Sequence, residues 1–190
     1  MLSRLTEQVG PGPGSTHRPC TRVGVVFATG HVFYELVAGV GMPFASMIGP
    51  APAAALFGSG GVVAFREAGR QPRSRDRTFA VLNGVFLAAV LAHFSGWPRA
   101  RRWGLPWLTE CEGLSGRLMP PYNLMLYASG VAAVGGVVET GRGRGWRAVT
   151  PAVLVPAVVV PWLIGEQHRD HARLVAQAQR RAGWWNRRLR

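Results

Sequence analysis

Apolar residues in this chain gather into five runs, at positions 23–40, 43–65, 79–97, 122–138 and 149–165, with polar and basic segments between them. From Val23 to Phe65 a single formally charged residue, Glu35, interrupts 43 positions. A helix on the surface of a soluble domain interleaves charges with apolar residues spaced three and four apart, and this stretch does not. Each run is close to the ~17–25 residues that cross a hydrocarbon layer ~30 Å thick. The pattern predicts an all-α fold, a polytopic integral membrane helical bundle of about five transmembrane helices, with four spans and a re-entrant fifth segment as the variant.

The breaks between runs sharpen this layout. Residues 1–22 contain Gly10-Pro11-Gly12-Pro13-Gly14, which cannot hold a helix and reads as a mobile N-terminal tail. The bundle then covers 23–165. Gly39, Gly41 and Pro43 supply a turn, with Pro43 as the first residue of the second span, where a missing N–H costs nothing. Pro50 and Pro52 are expected to kink that span, and Pro151, Pro156 and Pro161 to bend the fifth. Small residues recur every four positions at Gly84, Ala88 and Ala92 and at Ala128, Ala132 and Gly136, stripes on which a neighbouring helix can pack closely. The irregular loop 98–121 is expected to fold over one membrane face, its Trp103 and Trp107, with Trp97 and Tyr122, forming a headgroup belt.

Residues 166–190 predict a basic amphipathic helix lying along the membrane surface. Leu174, Ala178, Ala182, Trp185 and Leu189 recur at intervals of three and four and share a face. Arg169, Arg173, Arg180, Arg181, Arg187 and Arg188 fall largely off it, where they can meet lipid phosphates.

Charge agrees with the membrane reading. All 22 basic residues are arginine and the net charge is +13, which in a soluble chain would suggest nucleic acid. Here the arginines lie between apolar runs, so the expected partners are anionic lipid headgroups, with a membrane protein partner or a second copy beside them, and nucleic acid is not among them. Arginine in place of lysine, with abundant Ala, Gly, Pro and Val, fits the codon usage of a GC-rich genome, so the expected location is the cytoplasmic membrane of such a bacterium. Arginines close to the span ends slightly favour an inside N-terminus. Cys20 precedes the first span and Cys111 follows the third, on opposite sides, so no disulfide is expected between them. The polar start and late first apolar run do not resemble a cleavable signal.

Chemistry is sparse. Ionisable residues inside a span are costly, roughly 2.5 kcal/mol or more for a carboxylate at mid-bilayer, and are suspects for function. His31 and Glu35, one turn apart near the middle of the first span, form an intramembrane polar pair that can hydrogen-bond, hold a proton or offer two metal ligands. His93, Tyr122, Asn123, Glu166, His168 and His171 are expected to converge at one interface, because five crossings bring the far end of the third span and the end of the fifth to the same side. Bis-histidine haem ligation by His31 and His93 is weakened by a depth difference of ~8–10 Å at 1.5 Å rise per residue. Gly58-Ser59-Gly60-Gly61 lacks the lysine of a phosphate loop and reads as packing glycine. No residue is given a catalytic role and no cofactor is fixed. The expected function is a non-enzymatic accessory or scaffold subunit. The alternatives are a membrane-embedded redox, metal or haem protein using His31, Glu35 and His93, and a small proton-coupled transporter.

Overall fold

The computed structural model describes residues 17–142 and 146–190, so most of the expected N-terminal tail lies outside the described residues. Helix α1 spans Pro19–Ala38, a short α2 Ala45–Ile48, α3 Pro50–Arg70, α4 Asp76–Gly96, α5 Met119–Gly141 and α6 Trp146–Arg180. Three stretches, Arg73–Gly96, Gly116–Gly141 and Val149–Arg180, are long and apolar enough to cross a membrane.

The five long helices alternate in direction. Gly61 of α3 lies against Thr29 of α1, and a Cβ there would meet its Oγ1 at 2.6 Å. Gly24 of α1 lies against Phe86 of α4 and Ala132 of α5. Gly84 of α4 lies so close to α6 that a Cβ would meet the Ala152 Cα at 3.0 Å. The small-residue stripe on α4 is therefore a packing face: Gly84, Ala88 and Ala92 are all buried. On α5, Ala132 and Gly136 are buried while Ala128 is half-buried.

Proline positions are refined. Pro43 does not start a helix; it lies in a turn beside Phe44, whose φ of 65° is left-handed. Gly49, at φ 88°, separates α2 from α3, and Pro50 takes the first helical position. The expected kink is thus a full break. Helix α6 instead runs unbroken through Pro151, Pro156 and Pro161.

One end of the bundle is clamped by Arg18. Its buried guanidinium pairs with Asp76 at 2.6 Å and donates to the carbonyls of Ala68, Gln71 and Pro72 at 3.0–3.3 Å, joining the start of α1 to the α3–α4 turn. Glu139, near the end of α5, accepts from the backbone N–H of Cys20 at 2.7 Å and of Thr21 at 3.1 Å. A carboxylate there satisfies orphan donors and complements the positive end of the α1 dipole. Helix α1 accordingly begins at Pro19, four residues before the first apolar run.

The opposite end is capped by the loop after α4, which is more regular than expected. Strands β1 (Arg99–Arg102) and β2 (Leu105–Leu108) pair antiparallel, as do β3 (Glu110–Cys111) and β4 (Leu114–Ser115). Both hairpins turn on two residues, Trp103-Gly104 and Glu112-Gly113, all four with positive φ. That is the turn whose twist suits paired strands. Cys20 and Cys111 are free thiols at opposite ends.

The expected surface helix differs from the structure. Residues 166–180 prolong α6, and 181–190 fold back on the bundle. The apolar stripe faces protein: Leu174, Ala178 and Leu189 are buried. Gln177 donates to the Ser46 carbonyl at 2.7 Å, and Arg187 and Arg188 donate to the Val37, Ala38 and Gly39 carbonyls at 2.9–3.2 Å. Those last α1 carbonyls lack intrahelical partners, which is why arginines meet them.

Candidate functional site

Beneath the hairpin cap, helices α1, α4 and α5 bring His31, Glu35, His93 and Tyr122 together. Tyr122 donates from its hydroxyl to Glu35 Oε1 at 2.5 Å, and His93 Nε2 lies 3.9 Å from the same oxygen. The His31 and His93 rings meet edge to face, centroids 5.5 Å apart, and Tyr122 lies 6.2 and 6.0 Å from them. All four side chains are buried. The pair His31 and Glu35 therefore belongs to the last two turns of α1, not to its middle.

Two expectations about these residues change. Glu35 takes Tyr122 as its partner, not His31, whose Nδ1 donates to the Phe27 carbonyl at 3.4 Å. His31 and His93 meet because each lies ten residues beyond Thr21 and Asn83, which hydrogen-bond across α1 and α4 at 3.0 Å. The depth difference counted from the apolar runs disappears.

The hydrogen bonds fix what each histidine can offer. His93 Nδ1 donates to the Ala89 carbonyl at 2.7 Å, as His31 Nδ1 does to Phe27. With Nδ1 donating, each ring presents Nε2 as an acceptor, the arrangement found in metal-ligating histidines, and on His93 the Gln167 side-chain amide donates to that atom at 3.4 Å, a bond an ion would replace. A ring nitrogen of each histidine and one Glu35 carboxylate oxygen lie within 4.8 Å of one another. Glu35 Oε2 is buried and has no hydrogen-bond partner. A second three-ligand group, His93, Cys111 and Glu112, meets the same limit. Cys111 is fully buried, and its thiol points at the Tyr122 hydroxyl at 3.7 Å. Burial first, then the Glu112 and Glu35 carboxyls, push the Cys111 thiol well above its ordinary value. Burial, followed by Asp170, raises Glu112 to about 8.

The remaining expected site residues frame this cluster. Asn123 accepts from the Leu108 N–H at 2.9 Å and donates to the Leu108 and Met119 carbonyls at 3.0 and 2.8 Å, pinning the hairpin cap to α5. His168 and His171 pack against Trp97, the first tilted and the second edge to face, with centroids at 4.7 and 5.4 Å. Glu166 faces outward and pairs with Arg169 at 2.5 Å and Arg173 at 3.8 Å. Arg173 also pairs with Asp170 at 3.3 Å, and Arg180 and Arg181 are exposed.

Sequence reasoning missed Gln167, Cys111 and Glu112. The Gln167 side-chain nitrogen lies 3.4 Å from His93 Nε2. The two X-Gly dipeptides, Trp103-Gly104 and Glu112-Gly113, were the available signal: each marks a two-residue hairpin.

Comparison with protein-family models, curated proteins and solved structures returned no match.

Proposed function

We propose that the protein is an integral membrane metalloprotein in which His31, Glu35 and His93 hold a divalent transition-metal ion near one face of a five-span bundle. The observation that carries the reading is that a ring nitrogen of His31, one of His93 and a Glu35 carboxylate oxygen lie within 4.8 Å of one another, beside a buried Glu35 Oε2 that has no partner among the described residues. Two imidazoles and one carboxylate suit zinc or ferrous iron and leave coordination positions open. An ion there would supply Lewis-acid or redox chemistry, with the Tyr122 hydroxyl beside it as a proton donor. The spanning part rests on the three long apolar helices and on large apolar side chains turned outward, such as Val131 and Val158, 73% and 75% exposed. Lipid is the environment that accommodates such a face. A porphyrin is left out, because Tyr122 packs against both imidazoles.

The accessory or scaffold reading has its own support in the Tyr122–Glu35 bond, which ties α5 to α1 whether or not metal is bound. Elemental analysis of detergent-purified protein separates the two. The metal reading expects stoichiometric zinc or iron in the wild type, absent from His31→Ala and His93→Ala variants of unchanged helicity. A wild type that stays metal-free after incubation with zinc, ferrous and cobaltous ions overturns it. Reporter fusions at the two termini are expected on opposite sides of the membrane.

A further inference from the structure

We propose that Cys111 and Glu112, on the β3–β4 hairpin, form with His93 an outer station through which the metal ion enters and leaves the His31–Glu35–His93 site. This inference rests on the metal reading above and adds a route to it.

Three observations converge on the hairpin. First, the chain breaks a local rule there. The leading position of this kind of turn favours Asn, Asp or Gly, yet it holds Glu112 at φ 50°. A left-handed glutamate costs roughly 1–2 kcal/mol. Trp103 takes the same position at φ 53° in the other hairpin, so what sets Glu112 apart is where its side chain goes. Successive strand residues point to opposite faces, but the left-handed turn lets Glu112 reach the same side as Cys111. Both offer a ligand atom within 4.8 Å of a His93 nitrogen and of each other. Second, the tip is held in place. Gly113 is seated so closely that a Cβ would meet Leu189 at 2.5 Å and Val40 at 3.5 Å. Third, the two groups touch through Tyr122, whose hydroxyl receives the Cys111 thiol and donates to Glu35.

His93 decides how the groups relate. Its Nδ1 is committed to the Ala89 carbonyl, so it has one nitrogen for a metal. One neutral imidazole nitrogen binds one ion, so the two triads are alternative stations for a single ion and not a two-metal centre. Passage exchanges Cys111 and Glu112 for His31 and Glu35 around a fixed His93. Glu112 is half-buried while Cys111, His31, Glu35 and His93 are buried, which makes the Glu112 carboxyl the outermost of the five ligands and the point of entry. Ligation at the outer station removes the Cys111 thiol proton to bulk water, and passage inward returns one as the sulfur is released. A thiolate also favours transition metals over magnesium and calcium, so the outer station selects before the inner one holds.

Cobaltous ion added rapidly to metal-free, full-length protein in detergent tests this. A sulfur-to-cobalt charge-transfer band is expected first, replaced by the weaker visible bands of a nitrogen and oxygen site. Cys111→Ser is expected to lose the early band and to load about tenfold more slowly, the scale on which supporting ligands tune metal sites. Its final cobalt content is expected to equal the wild type. Glu112→Gln provides a second variant with slower loading at unchanged final content. In Glu35→Gln the charge-transfer band is expected to persist. Loading at the wild-type rate in both hairpin variants overturns the station. Loss of final cobalt in Cys111→Ser also overturns it, by making the thiolate a resident ligand. Failure of the wild type to take up any cobalt overturns the metal reading itself, which these two outcomes leave standing.

Discussion

The two ends of the bundle bury polar groups in opposite ways. At the Arg18 end, a guanidinium, two carboxylates and an asparagine amide are engaged with helix termini and with each other: Arg18 with Asp76 and three carbonyls, Glu139 with two N–H groups, Asn83 with Thr21 and Phe79. The exceptions there, Arg22 Nε and Asn83 Oδ1, belong to side chains held in other ways, Arg22 by stacking on Phe65 at 4.0 Å. At the hairpin end, Glu35, Trp97, Gln167 and His171 each keep a buried polar atom without a partner. Buried unsatisfied groups cost about 1–3 kcal/mol each and are rare in purely structural positions. The contrast separates a clamp, where polarity stabilises the fold, from the hairpin end, where polar atoms stay unpaired and on the proposed reading await a ligand.

The largest effect should follow from breaking the clamp. Arg18→Leu leaves Asp76 buried opposite an apolar side chain, and removing one partner of a buried pair costs about 3–5 kcal/mol. Thermal unfolding in detergent should show a correspondingly large drop, and a loss below about 1 kcal/mol would erase the contrast. Next comes Asn123→Ala, which strips Leu108 of both side-chain partners. A cost of about 2–3 kcal/mol is expected, with new protease cleavage between residues 98 and 118 as the sign that the cap has lifted. Intact resistance to protease would mean that the hairpins hold without it.

A smaller change is expected from Glu35→Gln in the absence of metal. The amide oxygen can still accept from Tyr122, so stability should move by less than about 1 kcal/mol while the nitrogen and oxygen bands of the inner His31–Glu35–His93 site are lost. A loss as large as that of Arg18→Leu would make Glu35 a structural tie. The least effect belongs to Arg169→Ala, whose partner Glu166 is exposed to solvent as it is. An exposed pair contributes about 0–1 kcal/mol, so the unfolding midpoint should barely shift.

The helices were legible in the sequence because apolar runs and their breaks are local. Four of the runs map onto long helices and the second onto α2 and most of α3, and the stripe from Gly84 to Ala92 is a packing face as its spacing implies. What the runs could not supply was relative level. His31 and His93 meet because the Asn83–Thr21 hydrogen bond sets α4 against α1 ten residues before each of them, and stagger between helices leaves no mark on either run. Glu35 was recognisable as a costly residue, yet its partner lies 87 positions away. Cys111 and Glu112 were hidden differently. A hairpin of two-residue strands is too short for any periodicity, and only its turn dipeptide betrays it. The C-terminal stripe was read correctly as a face, but an apolar face serves lipid and protein alike, and Leu174 and Ala178 face protein.

The docking of Arg187 and Arg188 onto the end of α1 sets a timetable for synthesis. The turn that carries Glu35 ends in carbonyls that find their donors in residues 150 positions downstream. Chains emerge at about 5–20 residues per second, so this turn waits roughly 8–30 s for its final hydrogen bonds after it has left the ribosome. During that interval the bundle can gather, but the end of α1 is unfinished. A chain truncated before position 187 would therefore carry every proposed metal ligand and still lack the part that holds the helix end bearing Glu35 in register.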